Sequence, residues 1–468
     1  MNEAINQVAV LRNFVDASVA DAIEQVIADG EDRDLCRINA LAFAARHELD
    51  PEKTIAGFLH AASLGIFDIS WNVLCPGCGG VLDTNASLRT VLKQEYVCAL
   101  CASGYEPTLD ELVEVTFTVN PRLRRIAGHV PHELPVNEYL RQMYWSSGVD
   151  LPENFDALIE EMVLDSAEVP AGEKLVMSLH LPPVFIIVFE AVTHSVQFID
   201  VKGEPIRERQ NLSLAYDRDH GHNQTLEMRP GPVRISIENR TDTRVIPAVF
   251  IAGDPLHDML QRRRPFLTAK RLLTNQTFRD LYRTETLDIA QRLKITSLTF
   301  LFTDLRGSTE LYERVGDLDA FDLVRSHFSV LNEIVASEAG AVVKTIGDAV
   351  MATFSTPERA VAAALRMREA MRELNAKSGS EDLVLKIGVH EGPCIAVAMN
   401  ERQDYFGQTV NIASRVQGLA HSQAIFTTGA VVGDAGAADL LRRRNLTPVE
   451  QNASLRGIER QVQLYAIP

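Results

Sequence analysis

Long apolar runs are missing from this chain of 468 residues. The strongest, LPPVFIIVFEAV at 181–192, is short, opens on prolines and contains Glu190, so it predicts a buried strand and not a membrane span. Also lacking is a signal-like start: MNEAINQVAV has neither a basic region nor an apolar core, and the expected location is cytoplasmic. Positive charge is in deficit. A formal net charge of −17 argues against broad nucleic-acid affinity, and no basic recognition helix is visible. What remains, 46% hydrophobic and 23% charged residues, is the composition of a soluble globular protein too long for one ordinary core, and about two to four domains are expected.

Cysteine is scarce but patterned. Besides Cys36 and Cys394, the sequence holds CPGC (Cys75, Cys78) and CALC (Cys98, Cys101), each at the tip of a plausible hairpin, with Gly77, Gly79 and Gly80 permitting tight turns. In a reducing compartment two CxxC pairs favour metal over disulfide. Four thiolates close a tetrahedral zinc site and leave no position open for water, which predicts a structural Zn2+. His129 and His132, in HVPHELP, stand without a carboxylate cluster and read as solvated loop residues.

Along the chain, residues 3 to 64 follow a helical pattern, with Asp50 and Pro51 as cap and first-turn proline, and IFDISWNVL then reads as a strand. A small helical bundle is expected, with a winged-helix-like unit as the alternative. From Val169 to about Gly253 the period changes to two, and short strand candidates separated by turn residues fit a β-sandwich or barrel, either a small-ligand sensor or a scaffold. Residues 261–295 return to helix, with Arg262 to Arg264 read as a solvated face, and this helix is expected to transmit the state of the N-terminal half.

The segment from Leu298 to Asp348 contains LTFLFTDLRGSTELYERVGD and GAVVKTIGDAVMATF. Asp304 closes an apolar run that predicts a buried strand and precedes a glycine turn and the helix-starting pair Ser308 and Thr309. Asp348 follows Gly347 at the tip of a predicted hairpin. A carboxylate at a strand end, beside the free N–H groups of a helix start, suits a metal-bound polyphosphate. Together with KIGVHEG and DYFGQTVNIASR, in that order, these motifs resemble the class III nucleotide cyclases from about Ile295 to the C-terminus.

That resemblance implies a ferredoxin-like βαββαβ core in an α+β protein, and attack by a ribose 3′-hydroxyl on an α-phosphorus with pyrophosphate leaving. It assigns two Mg2+ or Mn2+ ions per active site to Asp304, Asp348 and the carbonyl of Leu305. Lys344 and Asp404 stand where the adenylate-specific members keep a base-reading pair: an ammonium donor for adenine N1 and a carboxylate acceptor for its 6-amino group, both mismatched by guanine. Asn411 and Arg415, one turn apart on a predicted helix, take the ribose-orienting and transition-state roles. Arg456 takes the place of a basic residue for the terminal phosphates, and LRGIERQVQLYAI resembles the family's closing strand pair. Pro393 and Cys394 depart from the pattern where some members have a phosphate-binding arginine.

In such cyclases the site forms between two catalytic domains, so the resemblance implies a head-to-tail homodimer acting on ATP. The expected organisation is a helical region at 1–70, a zinc-ribbon-containing region at 71–160, a sandwich-like β domain at 161–255, a helical linker at 256–294 and the catalytic domain at 295–468. The expected activity is an adenylate cyclase making cyclic AMP and pyrophosphate, regulated by its N-terminal half. The alternatives are a guanylate cyclase and a non-catalytic nucleotide-binding signalling protein.

Overall fold

The structure, a computed structural model, describes the chain except for residues 1, 92–94, 107, 218–223, 283–292, 308–312, 314–315, 379–382, 400–401, 421–423, 452–453, 456–457 and 459–460. It divides into two compact units, one of residues 1–107 and 112–267, the other of residues 108–111 and 268–468.

In the first unit, caps written in the sequence start the helices. Asp16 accepts from the Ser18 N–H ahead of Ala17–Asp29, Asn39 from Leu41 and Ala42 ahead of Ala40–Arg46, and Asp50 from Lys53 ahead of Pro51–Ser63. The last of these helices sends Phe58 onto the rings of Phe43, Phe67 and Phe117, which joins it to an antiparallel sheet of three strands with Phe67–Leu74 between Val81–Asn85 and Val113–Val119. A β-sandwich follows. Its five-stranded sheet contains Phe185–Glu190 between Ser195–Val201 and Pro247–Ile251, and its three-stranded sheet has Gly231–Asn239 between Lys174–Leu181 and Gln210–Tyr216. Ile186, Val188 and Ile199 from the first sheet share one core with Leu181, Val233 and Ile235 from the second. Glu190 is fully buried, and its carboxylate accepts from the N–H groups of Val192, Thr193 and Ile246.

The predicted linker breaks into short pieces: Asp254–Gln261 in the first unit, Ala269–Leu273 and Gln276–Leu281 in the second. Residues 283–292 of that prediction lie outside the described residues. The arginine run lies past the helix end and not on a helix face, although Arg262 and Arg263 are exposed. Arg263 follows the helix and donates to the carbonyls of Gly77 and Cys78, and Arg264 donates to that of Ser147. His129 is likewise held by the main chain, between the Ile126 N–H and the Val119 carbonyl.

The second unit runs strand Leu293–Leu305, helix Asp317–Ser337, strands Gly340–Ile346 and Ala349–Phe354, helix Pro357–Ser378, strand Leu385–Met399. This is the βαββαβ order. The spatial order also fits: Gly340–Ile346, Ala349–Phe354, Leu293–Leu305, Leu385–Met399, all antiparallel. One face is covered by the two helices, where Leu331, Val335, Val361 and Leu365 meet Leu301, Val350 and Val389. The long last strand continues into a hairpin with Arg402–Phe406, and Gly407 then starts the helix Gln408–Leu419. Of the predicted closing pair, the described residues contribute the strand Leu464–Ile467, whose partners are Ile425–Thr428 and the upstream Val449–Gln451.

Candidate active site and metal centre

Asp304 lies at the end of the central strand, opposite Lys386, and the register that pairs Thr303 with Val350 brings it level with the turn holding Asp348. That turn needs Gly347, whose φ of 63° lies in the left-handed region. The two carboxylates interact. Burial, then the charge of Asp348, raise the Asp304 pKa above its ordinary value, while Lys386 and a hydrogen bond from Gln417 pull it down. Oδ2 of Asp348 is buried with no hydrogen-bond partner. A pair of adjacent carboxylates with an orphaned, buried acceptor oxygen is the arrangement a divalent cation completes, and an all-oxygen set fits Mg2+ or Mn2+. Behind Asp348, His327 is fully buried with Nδ1 3.5 Å from the Met371 sulfur. Burial takes its pKa down to about 4 against the pull of Asp348, so this wall of the site is neutral near pH 7.

Lys344 and Asp404 meet: Nζ is 2.5 Å from Oδ2, with the lysine exposed and the aspartate largely buried. The other Asp404 oxygen accepts from the Tyr405 N–H at 2.9 Å. One end of the pair is thus fixed by the strand and the other reaches solvent.

Asn411 and Arg415 both lie on the Gln408–Leu419 helix, Asn411 exposed and Arg415 half-buried, while Thr409, Ala413 and Val416 face the core. The helix sits against the sheet so closely that a Cβ on Gly388 would come within 2.2 Å of the Gln417 nitrogen. Gly388 and Gln417 were not singled out by sequence. A glycine inside a strand pattern, as in KIGVHEG, is the signal of close backbone approach that marks the first; nothing local marks the second. The Pro393 main-chain carbonyl accepts from the Thr409 hydroxyl at 2.5 Å, a bond to the helix start that does not depend on the side chain at 393. Cys394 beside it is buried, which pushes its thiol up to about 12. Leu305 is buried. Ser308, Thr309 and Arg456 lie outside the described residues.

In the first unit, the sulfur atoms of Cys75, Cys78, Cys98 and Cys101 all lie within 4.8 Å of one another. Cys75 to Cys101 is 3.5 Å and Cys78 to Cys98 is 3.7 Å. Zinc–sulfur bonds of about 2.3 Å in a tetrahedron place sulfurs about 3.8 Å apart, so the four residues fit zinc. The Gly80 N–H points at the Cys78 sulfur, and the two carbonyls bonded by Arg263 belong to the same turn.

The C-terminal part is a nucleotide cyclase domain: residues 291–465 match the family of the adenylate and guanylate cyclase catalytic domain. The chain belongs to a family described as one of unknown function, DUF5939, whose model matches residues 1–280. Among similar proteins, an adenylate cyclase of Anabaena cylindrica is 26% identical over 185 residues, 36% of this chain and 36% of that one. A pH-sensitive adenylate cyclase of Mycobacterium tuberculosis is 27% identical over 249 residues, 51% of this chain and 56% of that one. The chain therefore spans less than two thirds of the length of these relatives. Among solved structures, the adenylyl cyclase CyaB from P. aeruginosa is 23% identical, with 38% of this chain and 96% of that chain covered at a TM-score of 0.34.

Proposed function

We propose that this protein is an adenylate cyclase that forms cyclic AMP and pyrophosphate from ATP at a site shared between two copies. The carrying observation is the Lys344–Asp404 pair in the same unit as the Asp304–Asp348 carboxylates, with the unpartnered Asp348 oxygen. Asp304, Asp348 and the Leu305 carbonyl would hold the metal ions, which when bound supply charge neutralisation at the attacking and leaving oxygens. The 3′-oxygen bonds to the α-phosphorus as the bond to pyrophosphate breaks, and the hydroxyl proton departs to water or phosphate. Lys344 donates to adenine N1 while Asp404 accepts from the 6-amino group, so the base is fixed by two directional contacts.

Asn411 orients the ribose and Arg415 meets charge that develops on the phosphoryl oxygens, a task for a residue presented on a rigid helix. Both lie on the outward side of a helix whose other side is core, which is where a second copy supplies the complementary half. The four cysteines hold structural zinc in the N-terminal half, which regulates or assembles the enzyme.

The test incubates the full chain with ATP, and separately with GTP, in Mg2+ or Mn2+. Cyclic AMP should form, at a rate rising more steeply than linearly with protein near the dimer dissociation range. Cyclic GMP in excess would assign the guanylate alternative. Tight ATP binding without cyclic product would assign the non-catalytic one.

A further inference from the structure

Arg279 lies in the short helix Gln276–Leu281, whose first turn is fixed by Asn275 accepting from the Phe278 N–H. Phe278 is buried and stacks on Tyr282 with ring centres 5.2 Å apart, which anchors the piece in the second unit. From that anchor Nη2 of Arg279 donates to two carbonyls, Val343 at 3.2 Å and Gln403 at 3.0 Å. Val343 immediately precedes Lys344. Gln403 immediately precedes Asp404.

These two carbonyls belong to different parts of the sheet. Gly340–Ile346 pairs with Ala349–Phe354, and Arg402–Phe406 pairs with the far end of Leu385–Met399, so no ladder among the described residues joins them. Arg279 is a main-chain bridge between the two, beneath the side-chain contact of Lys344 with Asp404. Neighbouring bonds reinforce it. The Val342 N–H donates to Oε1 of Gln276 at 2.8 Å, and the Tyr405 hydroxyl takes a bond from Gln403 at 2.8 Å and lies 3.4 Å from the Leu273 carbonyl. Nη1 of Arg279 is buried with no hydrogen-bond partner, so this guanidinium is kept under cover at a desolvation cost, for the sake of main-chain oxygens.

We infer that Arg279 is a positioning residue for purine recognition: it sets the spacing between Lys344 and Asp404 and so tunes discrimination between adenine and guanine. The inference rests on reading that pair as the base contact. Two polar groups on separate strands must match two atoms on one edge of a planar base, and displacement of either by about 1 Å weakens the correct match and relaxes the penalty on the wrong one. Because Arg279 touches neither the metal carboxylates nor the Asn411 helix in its described bonds, its loss should act on nucleotide choice and KM more than on kcat.

The experiment compares full-length wild type, Arg279→Met, Arg279→Lys, Lys344→Met and the Arg279→Met/Lys344→Met double variant. Turnover of ATP and GTP is measured, together with dissociation constants for α,β-methylene ATP and α,β-methylene GTP in Mn2+, and thermal melting reports folding. Arg279→Met is expected to lower the ATP-over-GTP ratio about tenfold, mainly through KM for ATP, with partial rescue in Arg279→Lys and no further fall in the double variant. Should Arg279→Met not fold, Arg279→Lys carries the test, with a fall of about threefold expected. A ratio unchanged by the arginine substitutions but lowered by Lys344→Met overturns the role of Arg279 alone. So does an undiminished further fall in the double variant. A ratio unchanged by Lys344→Met overturns the base-reading assignment, and this inference with it.

Discussion

At the end of the central strand, burial and, after it, the nearby charge of Asp348 disfavour ionisation of Asp304, and their effect has a measurable sign. Asp304 has a raised pKa, so its ionisation disfavours the folded state: stability is fully present below the unfolded carboxylate value, about 4, and falls as pH rises through the higher folded value. Without divalent cation, Asp304→Asn should therefore raise the melting temperature at pH 7 and leave it nearly unchanged at acid pH. Added Mn2+ should stabilise the wild type and not the variant, while cyclic AMP formation falls at least about a thousandfold in the variant. Asp304, Asp348, Lys344 and Asp404 were legible because each sits in a contiguous motif. Gln417, which hydrogen-bonds Asp304, and Arg279, which bonds two carbonyls, were not: their partners are far away in sequence, and no local pattern encodes such a bond.

The helix Gln408–Leu419 shows how an element can be read while its placement is not. Helical spacing in TVNIASRVQ put Asn411 and Arg415 on a helix, but its depth against the sheet depends on Gly388, far upstream. Gly388→Ala would drive a methyl into the Gln417 backbone; a loss of about 1–3 kcal/mol in stability and about tenfold in kcat is expected, read by denaturant melts alongside initial rates. Gly407→Ala strains the helix start, where φ is 145°, and should lower kcat in the same direction. Strand periodicity likewise revealed the sandwich but not its pairing. Gln210–Tyr216 runs parallel to Gly231–Asn239, and Leu226–Met228 parallel to Ser195–Val201, because a period of two says which face is buried and nothing about a neighbour's direction. The predicted single helix after residue 261 failed for a related reason. Pro265 and the caps Thr268 and Asn275 divide the segment, and those punctuation marks outweigh the apolar spacing.

At the scale of the whole molecule, the cysteine cluster belongs to the core of its unit. Cys75, Cys78 and Cys98 share an apolar cluster with Tyr144, Trp145 and Phe189, so zinc removal should unsettle more than two hairpins. We expect about one zinc per chain by elemental analysis, lost in Cys78→Ser, with a melting transition lower by roughly 5–10 °C in that variant or after chelation. The four cysteines were legible from spacing; their burial against the sandwich was not, since it depends on residues scattered over much of the unit.

The second unit also includes residues 108–111, taken from the middle of the N-terminal sequence. There Asp110 lies 3.1 Å from the Lys270 ammonium and accepts from the Thr296 N–H at 2.5 Å, while Leu109 exchanges main-chain bonds with Lys294 and Lys270. A truncation that begins at the cyclase motif therefore removes a peptide from the catalytic unit itself, and one that begins at 268 leaves Lys270 half-buried without its counter-ion. Weak cyclase activity in such a fragment would reflect, at least in part, the loss of these contacts within the unit. Adding residues 108–111 back as a separate peptide restores to a fragment that begins at 268 the contacts of Asp110 and Leu109, and any rate regained measures that loss.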